Sequence, residues 1–248
     1  MRASYFYSLT LILILISCQP KQTETQVPGG TLLENNADNL LTPQEVQEGW
    51  QLLFDGNSFN GWHSYGKDSI QGWMIEDGQL TNDPEVSGGD LTTNNQYSNF
   101  ELSLDWKIAK GGNSGIIYRI VENATYESPH ETGPEYQLID NSGYPQELQP
   151  GQLTAANYDM HPPAKDAFTG ADIYQRTRIL VQDSLVEHWL NDELIVSYIQ
   201  WSEDWQDRLA LSKWVDYPGY GTARTGLVGL QDHGDRIWFK NIKLKPLP

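Results

Sequence analysis

Asn99-Phe100-Glu101-Leu102-Ser103-Leu104-Asp105-Trp106-Lys107-Ile108 alternates without a break. Phe100, Leu102, Leu104, Trp106 and Ile108 are apolar; every residue between them is polar. A period of two over this length predicts a strand with one buried and one wet face. Gly111-Gly112-Asn113 then turns the chain into 114–121, apolar on both faces, which reads as an interior strand. Residues 135–140 form another short strand pattern. Downstream, 175–182 and 185–190 are separated by Asp183-Ser184, and Asn191-Asp192 is a tight hairpin turn into 194–199. The chain closes with strand patterns at 226–231 and 236–245. Asp55-Gly56 and Asp77-Gly78 read as turn formers. Two helices are predicted. Thr42 caps the first, with Pro43 at its first position, Glu45 completing a capping box and Gly49 ending it. Ser202 caps the second, which runs to Lys213 with acids in its first turn. Short strands, antiparallel turn chemistry and no internal repeat point to an all-β sandwich of two sheets.

The N-terminus is a different kind of sequence. Arg2 supplies a positive start, and 9–16 is an aliphatic run broken only by Thr10. The run is too short to span a membrane and has the layout of an export signal. Leu15-Ile16-Ser17-Cys18 resembles a bacterial lipobox, and Cys18 is the sole cysteine. The resemblance implies cleavage after a 1–17 signal peptide, lipidation of Cys18 and residence in the bacterial cell envelope. Gln19 after the cysteine points, by analogy, to the outer membrane. Residues 18–41 are polar and rich in Asn, Gln, Pro and Gly, and read as a flexible tether. One folded domain is expected over 42–248.

Composition excludes some partners. The net charge is −17, from 16 basic and 33 acidic residues. Such a surface repels nucleic acid and anionic lipid headgroups, so the lipid must do any anchoring. Without further cysteines there is neither a disulfide framework nor a thiolate metal site. Nine Trp and thirteen Tyr stand against six Phe. Rings with a polar edge suit stacking on sugars, and equally suit a β-sandwich core.

Several segments resemble one family in order. They are Gly49-Trp50-Gln51-Leu52-Leu53-Phe54-Asp55-Gly56-Asn57 with Gly61-Trp62, then Asn113-Ser114-Gly115-Ile116-Ile117-Tyr118-Arg119 and Glu135-Tyr136-Gln137-Leu138-Ile139-Asp140. Tyr158-Asp159 with Pro162, Gly229-Leu230-Gln231-Asp232-His233-Gly234 and Phe239-Lys240-Asn241-Ile242 complete the set. Together they resemble the 3-keto-disaccharide hydrolase domain family, earlier known by the DUF number 1080, across about 41–247. The resemblance implies a concanavalin A-like jelly roll acting on glycosides oxidised at C3 of the sugar. A separate sugar 3-dehydrogenase would then supply the substrate.

The residues narrow the chemistry further. Ordinary glycosidases flank the scissile bond with two carboxyls, roughly 5–10 Å apart. Glu135 and Asp140 point to opposite sides of their strand and lie roughly 16 Å apart along it, so they are not that pair. A C3 ketone offers another route. It acidifies the C2–H, so a base can form an enolate that expels the aglycone from C1, and water can then add. This needs a base and, at the enolate oxygen, a cationic group or a divalent metal. Glu135 is the expected base or metal ligand. Arg119 is the expected clamp, sharing its strand face with Ile117 and Val121 and meeting Glu135 either in the site or as a structural ion pair. His233 lies in a polar turn of the last motif and is either catalytic or part of a turn built by Asp232. Asn113, Ser114, Gln137, Asp140, Gln231 and Asp232 are candidate hydroxyl contacts. Tyr158 and Trp189, with Trp62, Trp73 and Trp214, are candidate stacking rings. His188 is either a packed histidine or a sheet-face contact. The five histidines show no metal-ligand spacing. The alternative to an enzyme is a carbohydrate-binding lipoprotein without turnover.

Overall fold

The alternation at 99–108 becomes the strand it predicts. In the computed structural model, which describes residues 1, 2, 4 and 37–248, Phe100–Ile108 is a strand whose five apolar side chains are at most 1% exposed. Cys18 and the rest of the expected signal and tether up to residue 36 lie outside the described residues. The strands in chain order are β1 (Gln51–Leu52), β2 (Trp62–Ser64), β3 (Trp73–Glu76), β4 (Gln79–Asn82), β5 (Leu91–Thr93), β6 (Phe100–Ile108), β7 (Asn113–Ile120), β8 (Glu135–Ile139), β9 (Gln175–Gln182), β10 (Leu185–Leu190), β11 (Glu193–Ile199), β12 (Leu227–Leu230) and β13 (Ile237–Pro246). The helices are α1 (Pro43–Glu48) and α2 (Glu203–Leu211).

All pairings are antiparallel. One sheet has eight strands, in the order β11-β10-β9-β6-β13-β4-β3, with β1 also on β13. The other has five, in the order β2-β5-β12-β7-β8. This is the two-sheet sandwich expected from the pattern and the jelly roll that the resemblance implies. Turn chemistry explains the hairpins. Asn191 and Asp192 both adopt positive φ (51° and 65°) between β10 and β11, and Asp77-Gly78 does the same between β3 and β4.

Two boundaries differ from the sequence reading. Order starts before residue 42: the Asn39 N–H donates to Asn241 Oδ1 (2.6 Å) and Asn39 Oδ1 accepts from the Asn241 N–H (2.8 Å). Asn39 Nδ2 also donates to the Gly78 carbonyl. These buried amides dock 37–41 on the sheet, so that stretch is part of the domain and not tether. The second helix stops at Leu211. The Ser212 hydroxyl accepts the Trp214 N–H and starts a separate 3-10 turn, Lys213–Asp216. Lys213 is thereby redirected.

The core fills the space between the sheets. Trp106 stacks on Phe168 and its indole N–H donates to Thr177 Oγ1 (2.9 Å). A buried polar chain crosses the layer. Because the Ala155 carbonyl can only accept, His188 Nδ1 donates to it (3.0 Å), and Nε2 accepts from the Tyr118 hydroxyl (2.9 Å). Tyr118 in turn accepts from Tyr198 (2.6 Å). Every member is satisfied, which is what allows a polar group to sit there.

Burial drives His188 down to about 3, so it is neutral in the fold. An unfolded histidine titrates near 6.5 and binds the extra proton below that pH. Its contribution is therefore complete above pH 6.5 and is lost toward pH 3, at about 1.4 kcal/mol per pH unit at most. Urea denaturation of wild type and His188→Gln between pH 6.5 and 4 should show the flatter slope in the variant. Equal slopes would contradict a neutral buried His188.

Candidate active site

Glu135 opens β8, at the edge of the five-stranded sheet. Tyr136 and Leu138 enter the core, so Glu135 and Gln137 take the outer face. The register sets Glu135 opposite Ile117 and Gln137 opposite Gly115. Gly115 has no side chain, and the Glu135 carboxyl occupies that space; a Cβ at Gly115 would collide with it. On the next strand Gln231 N–H donates to the Gly115 carbonyl (2.9 Å). Leu91 pairs with Leu230, which places Asp90 beside Gln231. Asp90, Gln231, Gly115 and Gln137 thus form one row across the outer face of four strands, with Glu135 leaning over the glycine.

A second layer comes from loops. Tyr158 N–H donates to the Glu135 carbonyl (3.0 Å) and holds residues 155–158 against β8. The Lys213 ammonium lies 4.2 Å from the Tyr158 ring centre and 4.3 Å from that of Trp214. The Lys213 N–H is fixed by Asp159 Oδ2 (2.8 Å).

The electrostatics set this face apart. Glu135 is 4% exposed, and its carboxyl accepts no hydrogen bond from the described residues. Burial pushes it up to about 8, with Lys213 pulling down and Asp90 pushing further up. Burial also lifts Asp90 to about 6, against the Asp232 N–H that donates to its Oδ1 (2.9 Å). Lys213 is lowered by burial, with Glu135 and Asp159 acting in the other direction. Asn113 Oδ1, Gln137 Oε1 and Gln231 Oε1 are buried without a partner. Three unpaired amide oxygens beside an unpaired carboxyl are costly unless a ligand completes them.

The other expected residues fall elsewhere. Arg119 is not on the Glu135 face. Its φ is 57°, and β7 carries a bulge there: Tyr118 pairs with Val228 and Ile120 with Leu227. The extra residue shifts the alternation, so Ile117 and Ile120 share one face and Arg119 turns the other way. Its guanidinium donates to Gln200 Oε1 and to the Asp183 carbonyl and lies over Trp201. The expected Arg119–Glu135 pair is therefore absent. His188 and Ser114 are sealed in the interior, Ser114 donating to the Gln231 carbonyl. Trp189 sits on the outer face of the other sheet, under Arg178 at 3.9 Å. Asp140 builds the 140–144 turn, accepting from the Gly111 and Ser142 N–H groups. Asp232 accepts from Asn82 Nδ2 and from the Gly88, Gly89 and Gly234 N–H groups, so its oxygens are committed. His233 is exposed and makes no side-chain hydrogen bond to the described residues. Trp62 and Trp73 are core residues, and Trp214 is buried against Tyr220.

The structure therefore assembles Glu135, Gln137, Asn113, Gln231 and Tyr158 and adds Lys213 and Asp90. Lys213 reads in sequence as a helix end, and only the break at Ser212 aims it inward. Asp90 leaves no usable signal in sequence, because Leu91-Thr92-Thr93 is too short to show a period. Among the described residues no group of three or more His, Cys, Asp or Glu is arranged to hold a metal ion. A cavity of about 340 Å³ lies near Trp205, Trp214 and Tyr220, and neither Glu135 nor Asp90 lines it.

Comparison with known proteins agrees with the motifs. Residues 49–245 match the model of the 3-keto-alpha-glucoside-1,2-lyase-like domain. A protein of Bacteroides thetaiotaomicron named 3-keto-disaccharide hydrolase is 32% identical, over 98% of each chain. A crystal structure of a glycosyl hydrolase candidate from Parabacteroides distasonis is 40% identical, covers 86% of this chain and all of that one, and superposes with a TM-score of 0.81. Another such candidate from that organism shares the fold at 22% identity and a TM-score of 0.61, covering 80% of this chain and 99% of that one. The chain belongs to the 3-keto-alpha-glucoside-1,2-lyase-like domain family.

Proposed function

We propose that this protein cleaves glycosides carrying a ketone at C3 of the glucosyl ring. The supporting observation is the Glu135 carboxyl, buried, without a hydrogen bond and beside a cation. Family membership supports the substrate class, through a relative named for 3-keto-disaccharides. In this reaction the C2 proton leaves, and its electron pair forms an enolate on the C3 oxygen. The C1–O bond then breaks, and the aglycone oxygen takes a proton. Water adds at C1 and a proton returns to C2, so the net result is hydrolysis. Glu135 is a proton carrier in this sequence. Such a group typically contributes about 10²–10⁴-fold.

Lys213 takes the role expected of Arg119, placing an ammonium toward the developing enolate oxygen. A donor of this kind contributes about 3 kcal/mol to the transition state. The amides of Asn113, Gln137 and Gln231 bind sugar hydroxyls, and Tyr158 offers a ring edge. The proposal includes location: a lipid on Cys18 tethers the enzyme to the outer membrane, where a separate dehydrogenase supplies the ketone.

Incubation with a 3-keto-disaccharide beside the unoxidised sugar tests this reading. Release of 3-ketoglucose from the oxidised sugar alone is expected, and tight binding without release would contradict it. Glu135→Gln should keep the fold and lower kcat at least about 100-fold. Lys213→Met should lower kcat/KM by about 100-fold through the enolate. Gly115→Ala should act like Glu135→Gln, because its methyl displaces the carboxyl. Normal turnover in Gly115→Ala would show that the carboxyl's position is immaterial.

A further inference from the structure

The elimination needs two proton transfers, one at C2 and one at the departing oxygen, and the outer face of the five-stranded sheet sets a second carboxyl, Asp90, across from Glu135. We propose that Asp90 is the second catalytic carboxyl, removing and returning the C2 proton while Glu135 protonates the aglycone oxygen. The inference rests on the 3-keto-glycoside reading above.

The register places the pair. Asp90 and Glu135 stand on the same face, on β5's leading edge and on β8, with β12 and β7 between them. Strands spaced about 4.8 Å apart put β5 and β8 roughly 14 Å apart, and Glu135 lies two residues along β8 from the Asp90 row. Glu135 reaches over Gly115, where no side chain intervenes, which brings its carboxyl to within two strand spacings, roughly 10 Å, of Asp90. Gln231 forms the floor between Asp90 and Gly115, and Gln137 lies beyond the glycine on β8, each with an unpaired amide oxygen. Gln137 is 1% exposed, so its unmet acceptor is an independent sign of a ligand on this floor.

Asp90 is also oriented. Its Oδ1 accepts the Asp232 N–H, and its other oxygen accepts no hydrogen bond from the described residues. Asp232 is itself held by four donors. Within the Gln231-Asp232-His233-Gly234 motif, Asp232 thus positions Asp90 while Gln231 faces the site. The charged groups facing Asp90 are Asp232 and Lys67; those facing Glu135 are Lys213 and Asp90, with the Tyr158 and Tyr220 hydroxyls nearby.

Protonation fits this division. Asp90 near 6 and Glu135 near 8 leave one ionised and one protonated between those values. Glu135 is then the acid and not the base expected from sequence. The protons balance. Asp90 takes the C2 proton, and Glu135 gives its own to the aglycone as C1–O breaks. Water adds to C1 and reprotonates Glu135, and Asp90 returns its proton to C2.

The test uses the full chain with a 3-keto-disaccharide and a 3-keto-4-nitrophenyl glucoside, whose leaving group needs no proton. Glu135→Gln should lose about 10²–10⁴-fold on the disaccharide and stay within tenfold of wild type on the nitrophenyl substrate. Asp90→Asn, which keeps the acceptor for the Asp232 N–H, should lose that much on both. It should also stop exchange of the C2 hydrogen of 3-ketoglucose in D2O, and Asp90→Glu should restore part of it. Exchange and turnover within tenfold of wild type in Asp90→Asn would overturn the assignment while leaving the 3-keto reading intact. A wild type that cleaves neither substrate would overturn both.

Discussion

A carboxyl removed from water without a partner is expensive as an anion, so it keeps its proton. Glu135 is in that state because of what lies beneath and beside it. Gly115 leaves a side-chain-sized space on the neighbouring strand. Residues 155–158 close over the edge of β8. No described side chain donates to the acid. Lys213 moderates the cost without forming a hydrogen-bonded pair with it. The rest of the face depends on this arrangement, since the unpaired amides of Asn113, Gln137 and Gln231 matter only if a ligand sits beside the acid.

The fold keeps several other strong polar groups away from this face. The bulge at Arg119 turns the guanidinium away from this face, and its two terminal nitrogens donate to Gln200 and the Asp183 carbonyl. The Tyr198–Tyr118–His188 chain spends its hydrogen bonds inside the core. Asp140 and Asp232 are consumed by turns. What remains on the outer face is poorly satisfied in the free protein, a state in which ligand groups replace missing partners.

The long alternations were legible because period two survives wherever a strand keeps one face buried. Residues 100–108, 175–182 and 185–190 fall within a residue of their sequence bounds. The short strands β1 to β5 were not resolved from sequence, since runs of two to four residues carry almost no period. Of the candidate site, Glu135 and Gln137 were legible from motif and strand parity together, and Asn113, Gln231 and Tyr158 from their motifs alone. Arg119 was misplaced by one inserted residue, which reverses every facing that parity assigns beyond it. Lys213 and Asp90 were missed because a helix break and a strand flank, both set by tertiary contacts, decide where they point.

The central claim is that Glu135 holds a proton at neutral pH because it is buried and unpaired. Carboxyl-labelled glutamate followed by NMR across pH 4 to 10, in wild type and in Glu135→Gln, measures this directly. One resonance titrating near 8 in the wild type and missing from the variant is the predicted result. A Glu135 carboxyl that titrates in the ordinary range near 4.5 would contradict the account.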